Sequence, residues 1–344
     1  MRLTFLCSLV FAALGHLAQA QQMPATAISP DGATLLVAGD NRVIYTLDAA
    51  TLAVTSRRYL PEQVEWMTYS QDGETIFMRT QARTFSARSA GSFKERFGAE
   101  KVNAVSYAPE AGRILLMENN YKGGILRLLA ASSGKNILKM DLPELRTDEV
   151  VLSDDGASAL ILTNSENSDT EEKAQPGSDL KGFAKYDFRQ RHDGYISKVI
   201  AVDLAAGTFA ATDTWYRVSN PTQLRMLGGN AVLVKSVSDT AVIQPDGSTT
   251  MIDLGEKYAS FVQISADGQN VYLASNNELR IHALNGTAVA TGGLTIQADR
   301  QPGPAERVTS MAEAGDGTLY LATSAYRILK VSPGATSVTA VPVF

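Results

Sequence analysis

The chain has 344 residues, 44% of them hydrophobic, which is enough apolar length to bury a core without disulfide staples. Its formal charge of −5 disfavours duplex nucleic acid, which calls for a basic face. A single cysteine argues against thiol catalysis and cysteine-based zinc sites.

Residues 1–20 read as a cleaved signal peptide. Arg2 gives a short positive start, residues 3–17 are largely apolar, and Ala18-Gln19-Ala20 supplies the small residues of a cleavage site. The apolar run is shorter than the roughly 20 residues a membrane span needs, and no later stretch approaches that length. Cys7 lies inside the signal and not at the cleavage point, which argues against a lipid anchor. Cleavage leaves residues 21–344 without cysteine, with His192 and His282 alone, and moves the formal charge from −5 to −6 through loss of Arg2. The mature chain is expected to be periplasmic, monomeric and not membrane-embedded, with no metal or cofactor of its own.

A short punctuation then recurs along the chain. It reads Ser29-Pro30-Asp31-Gly32, Ser70-Gln71-Asp72-Gly73, Ala108-Pro109-Glu110-Ala111-Gly112, Ser153-Asp154-Asp155-Gly156, the weaker Leu227-Gly228-Gly229-Asn230, Ser265-Ala266-Asp267-Gly268 and Ala314-Gly315-Asp316-Gly317. The steps between the glycines are 41, 39, 44, 73, 39 and 49 residues, and the 73-residue step is one period plus an insertion. A short apolar strand precedes each marker, and a β-rich run such as Thr34-Leu35-Leu36-Val37-Ala38 follows it. A third strand comes next, as in Val43-Ile44-Tyr45-Thr46-Leu47-Asp48, then a turn and a fourth strand such as Leu52-Ala53-Val54-Thr55. Four antiparallel strands per period of about 40 residues is the signature of a propeller blade. The reading is an all-β, seven-bladed β-propeller of four-stranded antiparallel blades over residues 21–344. No stretch shows sustained, capped helical periodicity. Asp-Gly at each marker is turn chemistry: Gly supplies positive φ and Asp bonds nearby backbone.

Ile28-Ser29-Pro30-Asp31-Gly32, with the strand from Val43 to Asp48 and the Val199 to Gly207 copy, resembles the YVTN-type propeller repeat, a WD40-like family of secreted bacterial proteins. The eponymous strand is not kept; the first copy reads Leu36-Val37-Ala38-Gly39-Asp40. The resemblance implies a fold and leaves activity open, since such propellers include ligand carriers, interaction scaffolds and some hydrolases and lactonases.

The chain begins on a first strand and ends on a fourth, so each blade reads as contiguous and the ring as closed by packing. Residues 164–196 form an insertion between the second and third strands of blade four, and residues 297–307 form the longest link between blades. Antiparallel alternation puts both on one face, the expected working surface. The insertion has an acidic half (Glu166, Asp169, Glu171, Glu172) and a half that interleaves bases with rings: Lys181, Phe183, Lys185, Tyr186, Phe188, Arg189, Arg191, His192 and Tyr195. Such a segment docks proteins or ligands, or its rings merely pin it to the disc; stacking on single-stranded nucleic acid is a third reading, disfavoured by the acidic net charge. Links on the same face add Glu65, Trp66, Arg146, Trp215, Tyr216, Arg217, Arg300 and Arg307, whose arginines suit a carboxylate or phosphate or simple surface ion pairs. The candidate binding residues are therefore Trp66, Arg146, Lys185, Tyr186, Arg189, Arg191, Tyr216, Arg217, Arg300 and Arg307, and the expected partner is a protein or a small anionic ligand. No catalytic residue is assigned: the chain lacks a nucleophile elbow, a P-loop and a His-Glu-x-x-His run. The alternative is a metal-independent hydrolase or lactonase at the channel mouth, with Glu65 or Glu313 as base.

Overall fold

The computed structural model describes residues 23–120, 123–143, 149–163, 166–167, 175–215, 223–227, 231–235, 240–253, 261–275, 278–284, 288–292, 306–333 and 339–342. The first sheet holds β1 (Ala25–Ile28), β2 (Thr34–Ala38), β3 (Val43–Asp48) and β4 (Val54–Tyr59). The second holds β5 (Val64–Tyr69), β6 (Thr75–Thr80), β7 (Phe85–Ser89) and β8 (Glu95–Ala99), and the third β9 (Val102–Ala108), β10 (Arg113–Asn120), β11 (Gly123–Ala130) and β12 (Asn136–Pro143). The fourth comprises β13 (Val150–Leu152), β14 (Ser158–Leu162), β15 (Glu166–Asn167), β16 (Tyr195–Asp203) and β17 (Thr208–Thr214), with helix α1 (Gly182–Arg191) between β15 and β16. Then come β18 (Gln223–Leu227), β19 (Ala231–Lys235), β20 (Thr240–Ile243) and β21 (Thr249–Met251), followed by β22 (Phe261–Ile264), β23 (Asn270–Ser275), β24 (Glu278–Ala283) and β25 (Ala288–Gly292). The last sheet is β26 (Val308–Glu313), β27 (Leu319–Thr323), β28 (Arg327–Val331) and β29 (Thr339–Pro342).

Strands pair antiparallel throughout and, outside the fourth sheet, in sequence order, which makes the fold an all-β propeller of four-stranded blades. The expected uniformity needs correction. Six sheets have four strands, and the sheet carrying the insertion has five. The extra strand continues an existing ladder: β14 pairs Leu162 with Val199 on β16, and β15 resumes with Glu166 opposite Ile196. Some strand bounds also shift. Leu52, expected to open a strand, sits in the preceding turn with φ 59°, and β4 begins at Val54.

Burial explains the patterns. Second strands are sandwiched between neighbouring blades, so β2, β14 and β27 read as nearly unbroken apolar runs. The outer β4 alternates between half-buried and exposed residues. The core is divided among the seams between blades, as in the cluster of Phe77, Phe85, Val102, Ile114 and Leu116 that joins the second and third sheets.

The turns behave as the composition requires. In the fourth sheet the Ser153 hydroxyl donates to Asp155 Oδ1 at 2.6 Å and accepts from Ser158 N at 2.9 Å, while Asp155 Oδ1 accepts from Ala157 N at 2.9 Å. Gly156 has φ +66°, and a Cβ there would lie 2.6 Å from Arg113 Cδ of the neighbouring sheet. Only glycine fits that turn and that approach together.

Every sheet is a contiguous segment, and the ring closes by packing. Ser310 Oγ donates to Met23 O at 2.7 Å, Thr26 and Ser310 share a side-chain hydrogen bond, and Tyr320 OH donates to Ala49 O at 3.1 Å. Tyr326 OH donates to Asp40 Oδ1, and a cluster around Met23, Leu35, Tyr45, Tyr320 and Ile328 fills the seam beneath.

Candidate functional site

The first strand of each sheet faces a central channel of about 1120 Å³. Its wall mixes apolar groups (Ile28, Trp66, Tyr107, Phe261) with Glu65, Arg79 and Arg225. Three of these strands carry a bulge near their start: the register skips Glu65 on β5, Asn103 on β9 and Thr309 on β26. Bulges re-aim a side chain at the point where the ladder breaks. Here they build a polar link between the second and third sheets. Arg79 lies 3.3 Å from Glu65 Oε2 and donates to Asn103 O, while Asn103 Oδ1 is buried without a partner among the described residues.

Neighbouring sheets are clasped around this channel by polar contacts. Gln71 N donates to Tyr107 OH at 3.0 Å, Leu152 N to Ser106 Oγ at 2.9 Å, and Ile264 N to Gln223 Oε1 at 2.9 Å. Glu313 accepts from Ala266 N at 2.8 Å and from Tyr272 OH at 3.0 Å. Burial, reinforced by this carboxylate, pushes the Tyr272 hydroxyl well above the ordinary tyrosine range. Glu313 is thus a clasp between the sixth and seventh segments of the repeat.

The insertion forms a helix where an interleaved loop was expected. Helix α1 has no side-chain cap at Lys181, and its surroundings hold it in place. Phe183 and Tyr186 pack on the cluster of Leu162, Val199, Leu224, Ala241, Ile243 and Met251, between the fourth sheet and the next. Arg191 donates to Asp187 Oδ1 at 2.9 Å and to Thr249 O at 2.6 Å, tying the helix end to the start of β21. Phe188 packs against His192 with centroids 4.4 Å apart and the rings tilted by 39°. Lys185 is half-buried and Arg189 exposed, and neither has an ion pair among the described residues.

The structure distributes the expected binding residues over three places. Trp66 lines the channel and packs on the seam between the second and third sheets. Lys185, Tyr186, Arg189 and Arg191 lie on α1, in the crevice beyond the fourth sheet. Arg307 is exposed, with its N–H donating to Ser324 Oγ at 2.9 Å. Arg146, Tyr216, Arg217 and Arg300 lie outside the described residues. Most of the 297–307 link also lies outside them; its described end and Thr163, the residue before the insertion, stand at the second-to-third-strand end of their sheets. Trp215 is 39% exposed. His282 is buried on β24.

Sequence reasoning missed one recurrent device. Thr80 and Thr84 hydroxyls donate to Glu62 Oε2 at 2.6 and 3.1 Å, and in the last sheet Thr323 Oγ1 donates to Glu306 Oε1 at 2.5 Å. Arg327 binds the same Glu306 through both Nε and Nη2, at 3.0 and 2.5 Å. The signal was present as Glu followed 17 or 18 residues later by a strand-ending Thr, but only two copies show it.

No group of three or more His, Cys, Asp or Glu is placed to hold a metal among the described residues, and no described helix is long and apolar enough to cross a membrane. No family model matches the chain, and no curated protein matches it in sequence. Solved structures do share its fold. A chain of the Kuenenia stuttgartiensis hydrazine synthase is similar over 95% of this chain and 97% of its own length, with a TM-score of 0.59 at 13% identity. At that identity the likeness is one of fold.

Proposed function

We propose that the chain is an exported, non-enzymatic binding module, a seven-bladed propeller of the YVTN, WD40-like kind in which the five-stranded sheet counts as one blade. In this reading it is periplasmic after loss of residues 1–20 and engages a protein partner through α1. One observation carries the reading: a basic, ring-bearing helix is anchored on an acidic disc by Phe183 and Tyr186 while Lys185 and Arg189 have no ion pair among the described residues. Aromatic and arginine side chains on a rigid support are the usual anchors of protein interfaces. A protein partner is preferred to a small anion because Arg191 is engaged by Asp187 and Thr249 and Arg307 lies elsewhere, so the candidate arginines that are described do not converge. The hydrolytic alternative is weakened because both carboxylates it would use are occupied, Glu65 by Arg79 and Glu313 by Ala266 and Tyr272.

The test is cross-linked co-purification from native periplasmic extract with the Lys185→Glu, Arg189→Glu double variant. Loss of the captured partner at an unchanged unfolding temperature is expected. Undiminished capture overturns the reading, as does turnover of a lactone and ester panel by the purified protein.

A further inference from the structure

The outer strand of a propeller blade is a free sheet edge, with unpaired N–H and C=O groups ready to template another strand. Six of the outer strands here are blunted. A register shift interrupts β4, β8, β12 and β25. Charged residues add to this on β4 (Arg57, Arg58), β8 (Glu95, Arg96) and β12 (Lys139). The other two are short: β21 has three residues, and β29 has four and ends on Pro342.

Strand β17 has none of these protections. Its seven residues pair one to one with Ser197–Asp203 without a register shift. Its sequence, Thr-Phe-Ala-Ala-Thr-Asp-Thr, contains no lysine, arginine or proline, and its one charge is held by Lys198 at 3.1 Å. Residues 208–211 and Asp213 are exposed. Large apolar side chains stand open near both ends, Phe209 at 40% and Trp215 at 39% exposure. Alternation along this edge turns the backbone groups of Phe209, Ala211 and Asp213 outward, and the Asp213 carbonyl is closely approached by Gly247 of the next sheet.

The far end of this edge meets the basic helix. Thr214 Oγ1 lies 3.0 Å from Thr249 Oγ1, and Arg191 of α1 donates to Thr249 O. An added strand running along β17 would therefore end beside a helix whose Lys185 and Arg189 have no ion pair among the described residues.

We infer that β17 is a strand-addition site for an extended, acidic segment of a partner protein. The main chain of that segment would continue the sheet while its carboxylates meet α1. This rests on the helix reading for the charge preference and goes beyond it in naming the edge. A second copy of this chain fits poorly, because its own edge offers one carboxylate, Asp213, already held by Lys198.

The probe is a fluorescein-labelled decapeptide alternating valine or threonine with glutamate, followed by anisotropy. It is compared with a version carrying lysine for glutamate and with versions N-methylated at every second residue in either phase. The acidic peptide should bind the mature protein, the lysine version should bind at least tenfold more weakly, and one N-methylated phase should lose binding while the other keeps it. Lys198 N and O bond Thr163 on the β14 side, so its partner Asp213 and, by alternation, Ala211 turn their backbone groups outward; Ala211→Pro should abolish binding without lowering the unfolding temperature, whereas Ala210→Pro removes a ladder bond to Ala201. Equal binding of both N-methylated phases overturns the edge and leaves the helix reading standing. Binding that survives Lys185→Glu with Arg189→Glu but fails with the proline keeps the edge and removes the helix from it. No binding at millimolar peptide, or a concentration-dependent dimer that the proline dissolves, overturns the inference outright.

Discussion

The serine–aspartate pairs in four of the first turns have a consequence for acid stability. In Asp31, Asp72, Asp155 and Asp267 the neighbouring serine hydroxyl first, and then a backbone N–H two residues on, hold the carboxylate below its usual range. In the unfolded chain the same groups titrate near pKa ~3.9. A folded value below the unfolded one means that the native state binds fewer protons there, so this contribution is complete above about pH 4 and drains as pH falls below it. Thermal unfolding from pH 5 to 2.5 should therefore show a falling midpoint. The slope should flatten when all four aspartates become asparagine, which keeps an oxygen for the turn but cannot titrate. Parallel slopes for the two proteins would show that the turns contribute nothing to acid stability. Ser153 is the residue to remove alone, since it is buried and serves both the aspartate and Ser158 N. Its alanine variant should cost about 1 kcal/mol.

Elements divide into those with a local cause and those without one. The marker turns and the strands beside them were legible because Asp-Gly spacing and apolar runs act within a few residues of themselves. Helix α1 was not legible, because its apolar face is only the pair Phe183 and Tyr186, too short to mark a helical period, and Lys181 supplies no cap. Tertiary contact with the crevice is what makes it a helix. For the same reason the bulges at Glu65, Asn103 and Thr309, and the Glu306–Arg327 pair, had no signature at the level of a single strand. If the crevice holds the helix, replacing both Phe183 and Tyr186 by alanine should free it without opening the sheets. Hydrogen exchange is the direct measurement: amides of residues 182–191 should lose protection while those of β13, β14 and β16 keep theirs. Stability should fall by only about 2 kcal/mol, since both rings are partly exposed. A uniform loss of protection across the fourth sheet would instead make the helix part of that sheet's core.

At the scale of the ring, one seam differs from all the others: the chain does not run across it. Neighbouring sheets elsewhere are joined by the chain and by side chains, whereas the first and last are joined by side chains and packing alone. The sequence register anticipated contiguous blades, although the fifth strand of the fourth sheet lay beyond it. Opening is expected to begin at this seam, because separating the two sheets breaks no connection and releases the terminal strands. Thr26 and Ser310 already touch across it through their hydroxyls, 284 positions apart in sequence. The described residues contain no cysteine, so cysteines at these two positions would have no competing thiol there. Thr26→Cys with Ser310→Cys should therefore form one disulfide, and a loop of that length is worth up to about 5 kcal/mol through the unfolded state if native geometry accepts it. The bridge should also slow unfolding, since the seam could no longer part first. Urea unfolding with and without reductant checks this. A higher midpoint and a slower rate, both reversed by reductant, are expected. An oxidised protein that unfolds at the wild-type rate would mean that the ring comes apart at another junction.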